Sequence, residues 1–220
     1  MSLILNIDTT GPSSFVCLAN DGNIIAIRTN YNQQDHAAFL HPAIKELMQE
    51  AGFSFNELNA IAVCNGPGSY TGIRIGVSAA KGLALALEKP IIMVDSLTIL
   101  AKDAMNQVNK KDAFYCSMID ARRLEVYYAV YNYDLDHIIS PGSIILNEST
   151  LSQMKGEFFF TGSGSEKFIG LFSGIGHFLK EHNTALALSE LSYTLFKQNK
   201  FSDLIYSDAF YVKDFHDSKK

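Results

Sequence analysis

The chain has 220 residues, of which 47% are hydrophobic and 19% are charged, and its formal net charge at pH 7 is −5. This length suits one large or two small globular domains, and the composition excludes an intrinsically disordered chain. The acidic balance argues against a protein that grips nucleic acid directly, because such proteins present clustered lysine and arginine.

The sequence predicts neither a signal peptide nor a membrane span. The longest apolar run near its start, Leu3–Leu5, is far too short for either. Cys17, Cys64 and Cys116 each lie in an apolar, strand-like run, and no two of them form a C-x-x-C pair. Isolated thiols in buried positions predict a reducing, cytoplasmic environment.

The first half of the chain predicts the element order βββαβαβ. Strands are expected at residues 3–7, 14–19, 24–29, 60–64 and 90–94, and helices over 37–51 and 72–87. The second and third strands are joined at Asn20-Asp21-Gly22, which is a strong hairpin-turn signal. This order predicts a three-stranded meander extended by parallel strands, with helices crossing over between them.

The second half predicts a reduced copy of the first. A helix is expected over 97–108, strands at 113–119 and 124–131, and further helices near 165–173 and 184–198. Turn-rich segments separate these elements, and no long linker is visible. We therefore predict two tightly packed domains, residues 1–105 and 106–220, with the C-terminal segment returning to the first domain.

A glycine-rich loop over residues 66–76, Gly-Pro-Gly-Ser-Tyr-Thr-Gly-Ile-Arg-Ile-Gly, joins a predicted strand to a predicted helix. In this arrangement backbone N–H groups and a helix N-terminus can face an anion. The spacing is G-x-G-x-x-x-G. A dinucleotide-binding loop needs glycine where Thr71 stands, and a P-loop needs lysine followed by serine or threonine. The spacing alone therefore leaves open a phosphate-binding loop or a tight packing turn.

Small residues recur every four positions through this helix, at Gly68, Gly72, Gly76 and Ala80. They form one ridge along the helix surface. Each glycine costs about 1 kcal/mol of helix propensity, so a ridge of this kind needs a backbone packed closely against it. That backbone belongs either to the sheet of the same domain or to another subunit.

Read with its surroundings, this loop closely resembles the signature of the bacterial TsaB (YeaZ) family, with Tyr70 and Ile73 where the family has Phe and Leu. Residues 120–127, Asp-Ala-Arg-Arg-Leu-Glu-Val-Tyr, resemble the family's D-A-R-x-x-E-V-Y hairpin. The likeness covers roughly residues 3–130. The tail departs from it, because residues 209–213, Ala-Phe-Tyr-Val-Lys, stand where the family favours P-x-Y-L-R.

The resemblance implies the α/β actin/sugar-kinase/Hsp70-like ATPase fold, with two βββαβαβ-type halves of which the second is reduced. It also implies a partner subunit of the complex that makes threonylcarbamoyladenosine in tRNA. The expected partners are a catalytic TsaD-like subunit, an associated ATPase subunit and, when those are absent, a second copy of the chain. Contact with tRNA is expected only indirectly, and contact with membrane is not expected.

Asp8, Thr9 and Thr10 follow the first predicted strand, where open α/β sheets place their ligands. With Gly66 and Gly68 they are candidates for a vestigial nucleotide site, because an acidic residue here orients metal and phosphate in kinases of this fold. The alternative is an ordinary Asx turn that closes the strand. The Asp120 to Arg122 segment has the same ordinary interpretation, a turn hydrogen bond or a salt bridge.

No metal site or cofactor is expected. His36 and His41 are five residues apart, which places them about 140° apart around a helix, so they cannot form the usual helical metal-binding pair. The catalytic sister family, TsaD/Kae1, carries its metal in an H-x-x-x-H motif just beyond the strand that corresponds to residues 90–94. Ser96 and Leu100 occupy those positions here, and Leu100 cannot bind a metal. Catalysis of the sister's type is therefore not expected.

Two hypotheses of function follow. The first is a non-catalytic scaffold that binds the catalytic subunit and holds it in an active state. Its interface is predicted on the two helices of the first half, at Leu40, Ile44, Leu47, Gly72, Gly76 and Ala80, and the same surface is predicted to form a homodimer. The second is an independent ATPase or phosphotransferase that uses Asp8 and the loop at 66–68. ATP turnover by the purified chain distinguishes them.

Overall fold

A computed structural model describes residues 1–123, 125–145, 156–169, 176–180 and 182–213, and it contains two five-stranded sheets. The first sheet belongs to the first half of the chain and the second sheet to the second half. No helix among these residues is long and apolar enough to cross a membrane.

The first sheet has the strand order β3-β2-β1-β4-β5. Its elements are β1 (Leu3–Asp8), β2 (Ser14–Asn20), β3 (Asn23–Asn30), α1 (His36–Ala51), β4 (Ala60–Cys64), α2 (Tyr70–Leu87), β5 (Ile91–Val94) and α3 (Ser96–Val108). β1 pairs antiparallel with β2 and parallel with β4, so that Ile7 lies opposite Val16 on one side and Val63 on the other. The predicted meander with a parallel extension is confirmed.

The second sheet repeats this plan, with the order β10-β9-β6-β7-β8. Its elements are β6 (Ala113–Asp120), β7 (Val126–Tyr131), β8 (His137–Ile144), β9 (Glu157–Thr161) and β10 (Gly176–Phe178), followed by α4 (Thr184–Lys197). Cys116 of β6 lies opposite Val130 of antiparallel β7 and Phe160 of parallel β9. The helix predicted near residues 165–173 falls partly outside the described residues, of which Ser165–Phe168 form a 3-10 turn.

One helix from each half packs against the sheet of the other half. The predicted domain boundary at residue 105 falls within α3, whose Leu97 packs against Tyr115 and Tyr131 of the second sheet. α4 lies in the predicted second domain, but its Leu188 belongs to the core on one face of the first sheet. α1 and α2 cover the other face of that sheet. β1 and β4 are therefore buried on both faces, as their continuous apolar runs predict.

The residues predicted as a dimer surface are instead part of this core. Leu40, Ile44 and Leu47 are at most 1% exposed and pack with α2 and the sheet. Gly72, Gly76 and Ala80 are buried in the same layer. The physical reason is that the apolar stripe of an amphipathic helix packs first against the sheet of its own domain, which leaves the polar face outside.

The C-terminal segment after α4 contacts the first half. The Ser202 amide donates to the carbonyl oxygen of Ile91 at 2.9 Å, and Ser202 Oγ accepts from the Met93 amide at 3.0 Å. Further on, the Phe210 amide donates to the carbonyl oxygen of Asn65 at 2.7 Å. The segment therefore runs from the outer strand of the first sheet to the glycine-rich loop.

Candidate functional site

The turn after β1 is a compact polar structure built on Asp8. Asp8 Oδ1 accepts hydrogen bonds from the Thr10 amide at 2.8 Å and from Thr10 Oγ1 at 2.7 Å. This is the Asx turn that the sequence left as an alternative. Burial raises the pKa of the Asp8 carboxyl, and the hydrogen bonds from Thr10 oppose that shift.

His36, at the start of α1, lies within hydrogen-bonding distance of the backbone of the same turn. Its ring is 2% exposed, and Nε2 lies 3.1 Å from the carbonyl oxygen of Gly11. Nδ1 lies 3.3 Å from the side-chain nitrogen of Asn30. A donor at Nε2 and an acceptor at Nδ1 match these two partners. The sequence marked His36 only as a poor metal ligand, and its role in positioning the turn depends on contacts between elements distant in sequence.

The glycine ridge of α2 packs against this turn. A Cβ on Gly68 would lie 2.5 Å from the carbonyl oxygen of Thr10, and one on Gly76 would lie 2.5 Å from Thr9 Oγ1. Thr9 Oγ1 also donates to the Gly72 carbonyl oxygen at 2.6 Å. The sequence left open whether this ridge packs against its own domain or against another subunit. In the structure it packs against its own domain.

A cleft of about 380 Å³ separates the two halves at this turn. The cleft contains Asp8, Thr10 and Gly68 of the predicted nucleotide site, but not the other two members. Thr9 is fully buried under α2, and Gly66 is buried beneath the carbonyl oxygen of Phe210. The remaining walls come from α3 and the second half, at Ser96, Ile99, Leu100, Ile119, Gly162, Ser163, Ser165, Glu166, Leu179, Lys180, His182 and Thr184, together with Gly11, Pro12, Ser13, Phe15 and Pro67.

Ser96 and Leu100, where the resemblance to the sister family implies metal ligands, lie on the α3 wall of the cleft. Ser96 Oγ donates to the carbonyl oxygen of Pro67, and Leu100 adds an apolar surface. Within the described ranges, no three His, Cys, Asp or Glu side chains are grouped so that they could hold a metal ion.

The second half places Asp120 at the end of β6, as the first half places Asp8 at the end of β1. Asp120 Oδ1 accepts from the Arg122 amide at 2.6 Å and from Lys167 Nζ at 2.5 Å. Lys167 lowers the pKa of Asp120. The predicted turn hydrogen bond is therefore present, while the ion pair is made with Lys167 and not with Arg122. Leu124 of the hairpin motif lies outside the described residues.

Two repeated halves facing each other across a cleft, each with an acidic turn and a glycine loop, define the actin/sugar-kinase/Hsp70-like ATPase fold. Two solved structures agree with this class. YeaZ from Pseudomonas aeruginosa superimposes with a TM-score of 0.79 at 24% identity, covering 96% of this chain and 100% of that one. An activator of 2-hydroxyisocaproyl-CoA dehydratase from Clostridium difficile with bound ADPNP superimposes with a TM-score of 0.52 at 7% identity, covering 90% and 96%. At these identities the likeness shows the fold alone.

Sequence comparison gives the family. The model of TsaD, tRNA N6-adenosine threonylcarbamoyltransferase, matches residues 24–177. The tRNA threonylcarbamoyladenosine biosynthesis protein TsaB of Escherichia coli K12 is 28% identical over 96% of this chain and 94% of its own length. TsaB of Bacillus subtilis 168 is 34% identical over 65% of this chain and 62% of its own length. The chain belongs to the family of that model and, within it, to the TsaB (YeaZ) family.

Proposed function

We propose that this chain is a non-catalytic, activating subunit in the synthesis of N6-threonylcarbamoyladenosine in tRNA, and that it binds a catalytic TsaD-like subunit. The observation that carries the proposal is the match to E. coli TsaB, a tRNA threonylcarbamoyladenosine biosynthesis protein, over 96% of the chain. The three cysteines of this chain are free and buried. This fits a reducing cytoplasm, where we place the complex.

The α3 wall of the cleft supports a non-catalytic role. The resemblance to the sister family implies metal ligands at the positions of Ser96 and Leu100. Leu100 has no lone pair, so the expected pair of ligands is incomplete. The chain then contributes to the reaction by favouring one conformation of its partner, which requires a different affinity for the partner's two states.

We propose that the partner binds the outer faces of α1 and α2, and that a second copy of the chain uses the same faces when the partner is absent. Ala37 and His41 of α1 and Ser78 and Gly82 of α2 are exposed. They line a shallow groove between the two helices, together with Ile75, Ala79 and Leu83. An associated ATPase subunit would join through the catalytic partner, and tRNA would be held by other subunits because this chain carries a net charge of −5.

The test is a reconstituted tRNA modification assay with the TsaD-like and ATPase subunits, with and without this chain. We expect a stable complex with the TsaD-like subunit, modification only when this chain is added, and no threonylcarbamoyl transfer by this chain alone. Transfer by the isolated chain, or full activity without it, would overturn the proposal. Steady-state ATP hydrolysis by the purified chain, measured in parallel, would favour the independent ATPase.

A further inference from the structure

The cleft between the halves differs chemically from a phosphate site. Among the residues that the structure describes, its lining carries two carboxylates, Asp8 and Glu166, and one ammonium, Lys180. His182 lines it as well, with Nδ1 3.2 Å from Oδ2 of Asp103. Among these described side chains negative charge exceeds positive charge, which favours a cation over a polyphosphate that carries no metal ion.

Four backbone amides of the turn after β1 and of the two glycine loops are already used within the protein. In the first half, the Thr10 amide donates to Asp8 and the Ser69 amide donates to the carbonyl oxygen of Thr10 at 2.8 Å. In the second half, the Gly164 amide donates to the carbonyl oxygen of Met118 at 3.0 Å, and the Ser165 amide donates to Gly162 at 3.1 Å. Phosphate cradles require such amides to point at the ligand. These four amides instead donate within their own half of the chain.

The walls between these loops are apolar. Phe15, Ile99, Leu100, Ile119 and Leu179 all line the cavity. The volume, about 380 Å³, is within the range of about 300–1,000 Å³ found for small-molecule sites, which combine apolar walls with a few fixed polar groups. Asp8 is such a group, because Thr10 and His36 fix the turn that carries it.

We propose that the cleft binds a small organic cation, with an ammonium group at the Asp8 carboxylate and an apolar body against Ile99, Leu100 and Leu179. An ammonium partner compensates the burial of the carboxylate, and the apolar walls remove the body of the ligand from water. The site goes beyond the proposed function and does not depend on it.

The experiment is an NMR titration of the full ¹⁵N-labelled chain with three probes that share one apolar body. The probes are 2-phenylethylammonium, 2-phenylethanol and phenylacetate, and Mg·ATP is titrated separately. We expect 2-phenylethylammonium to shift the amides of Ile99, Leu100 and Leu179 and to bind at least about tenfold more tightly than phenylacetate. We expect Mg·ATP to leave those amides unshifted.

Two variants test the assignment to the cleft. Asp8→Asn keeps the acceptor for the Thr10 amide and removes the charge, so the ammonium probe should bind no more than about twofold more tightly than the alcohol. Leu100→Lys adds a cation to the wall and should make phenylacetate the preferred probe. Glu46→Gln, on the exposed face of α1, is the matched control and should leave all affinities unchanged.

The inference fails if Mg·ATP binds at these amides more tightly than the ammonium probe. It fails equally if the probes bind without a preference for positive charge, or if none of them shifts the cleft. These outcomes are independent of the reconstituted assay, so the proposed function and the cleft assignment can be overturned separately.

Discussion

Gly72 of α2 lies so close to Thr9 that a Cβ on this glycine would overlap the Thr9 carbonyl oxygen. The contact explains why small residues recur every four positions in the first turns of α2. The turn after β1 occupies the groove that a side chain would fill, and the Thr9 hydroxyl then bonds the Gly72 carbonyl oxygen. The ridge therefore fixes the turn that carries Asp8.

Because Gly72 makes this contact and Gly82 does not, replacing glycine by alanine should change the free energy of unfolding in opposite directions at the two positions. Gly72→Ala forces the Thr9 backbone to move and should lower the free energy of unfolding by about 1–3 kcal/mol or more. Gly82→Ala places its Cβ in open space, since no atom lies within 4 Å, and should raise it by about 1 kcal/mol through helix propensity. Urea denaturation of both variants measures the difference. Equal effects at the two positions would show that the ridge is not packed as described.

The difference between buried and exposed glycines of α2 also decides which substitution tests the proposed interface. Gly76→Arg would push a charged side chain into the core beside Thr9 Oγ1, so we expect it to unfold the protein and to say nothing about partner binding. Gly82→Arg projects into the groove between α1 and α2 and should leave the fold intact. It should weaken binding to the TsaD-like subunit at least about tenfold and reduce self-association in sedimentation. A folded Gly82→Arg variant that binds with parental affinity would exclude this groove as the interface.

Asp8 predicts a pH dependence of stability. Burial raises the pKa of its carboxyl above the ordinary value of 3.8, so the folded state binds this proton more tightly than the unfolded state does. Stability therefore falls as the pH rises from the ordinary value through the raised one. Asp8→Asn removes that loss, so its stability relative to the parent should be greater at about pH 7 than at about pH 4. Chemical denaturation at both pH values provides the measurement. A gain that is constant or larger at the lower pH would contradict the assignment.

The cysteines should be unreactive in the native chain. Burial raises the pKa of Cys17 to about 12 and raises the pKa of Cys64 and Cys116 as well. Because the thiolate is the reactive form, a thiol reagent such as Ellman's reagent should label none of them until the chain unfolds. In guanidinium chloride all three free thiols should react. Rapid labelling of one thiol without denaturant would indicate an accessible, activated cysteine.

The order of elements could be predicted from the sequence because buried parallel strands are continuous apolar runs, as at Ala60–Cys64. The hairpin at Asn20-Asp21-Gly22 was equally visible in its turn residues. The ridge spacing predicted a close backbone contact, but periodicity alone does not say which backbone is involved. The interface residues were misplaced for a related reason, since the stripe through Leu40, Ile44 and Leu47 looks the same whether it meets a sheet or a second subunit.

The chemistry of the cleft could be predicted only in part. Asp8 was found because it ends an apolar strand, and its Asx turn follows from a local pattern. His36 contacts the turn that carries Asp8, and Lys180 and His182 line the cleft, from positions far from Asp8 in the chain, and nothing local marks them. The hydrogen bonds that the Ser69 and Gly164 amides donate within the protein depend on the packing of each loop against its own half. That packing is a property of the fold and not of the loop sequence.

The hydrogen bond between Ser202 and Ile91 has a consequence for aggregation. β5 is the last strand of its sheet, and an uncovered last strand offers N–H and C=O groups to any other extended chain. The Ser202 amide donates to the Ile91 carbonyl oxygen, and the Ser202 hydroxyl accepts from the Met93 amide. Two hydrogen-bonding groups at the edge of β5 therefore already have partners. A chain that ended before Ser202 would keep both sheets but would present β5 as a template for edge-to-edge pairing, and its characteristic defect would be aggregation.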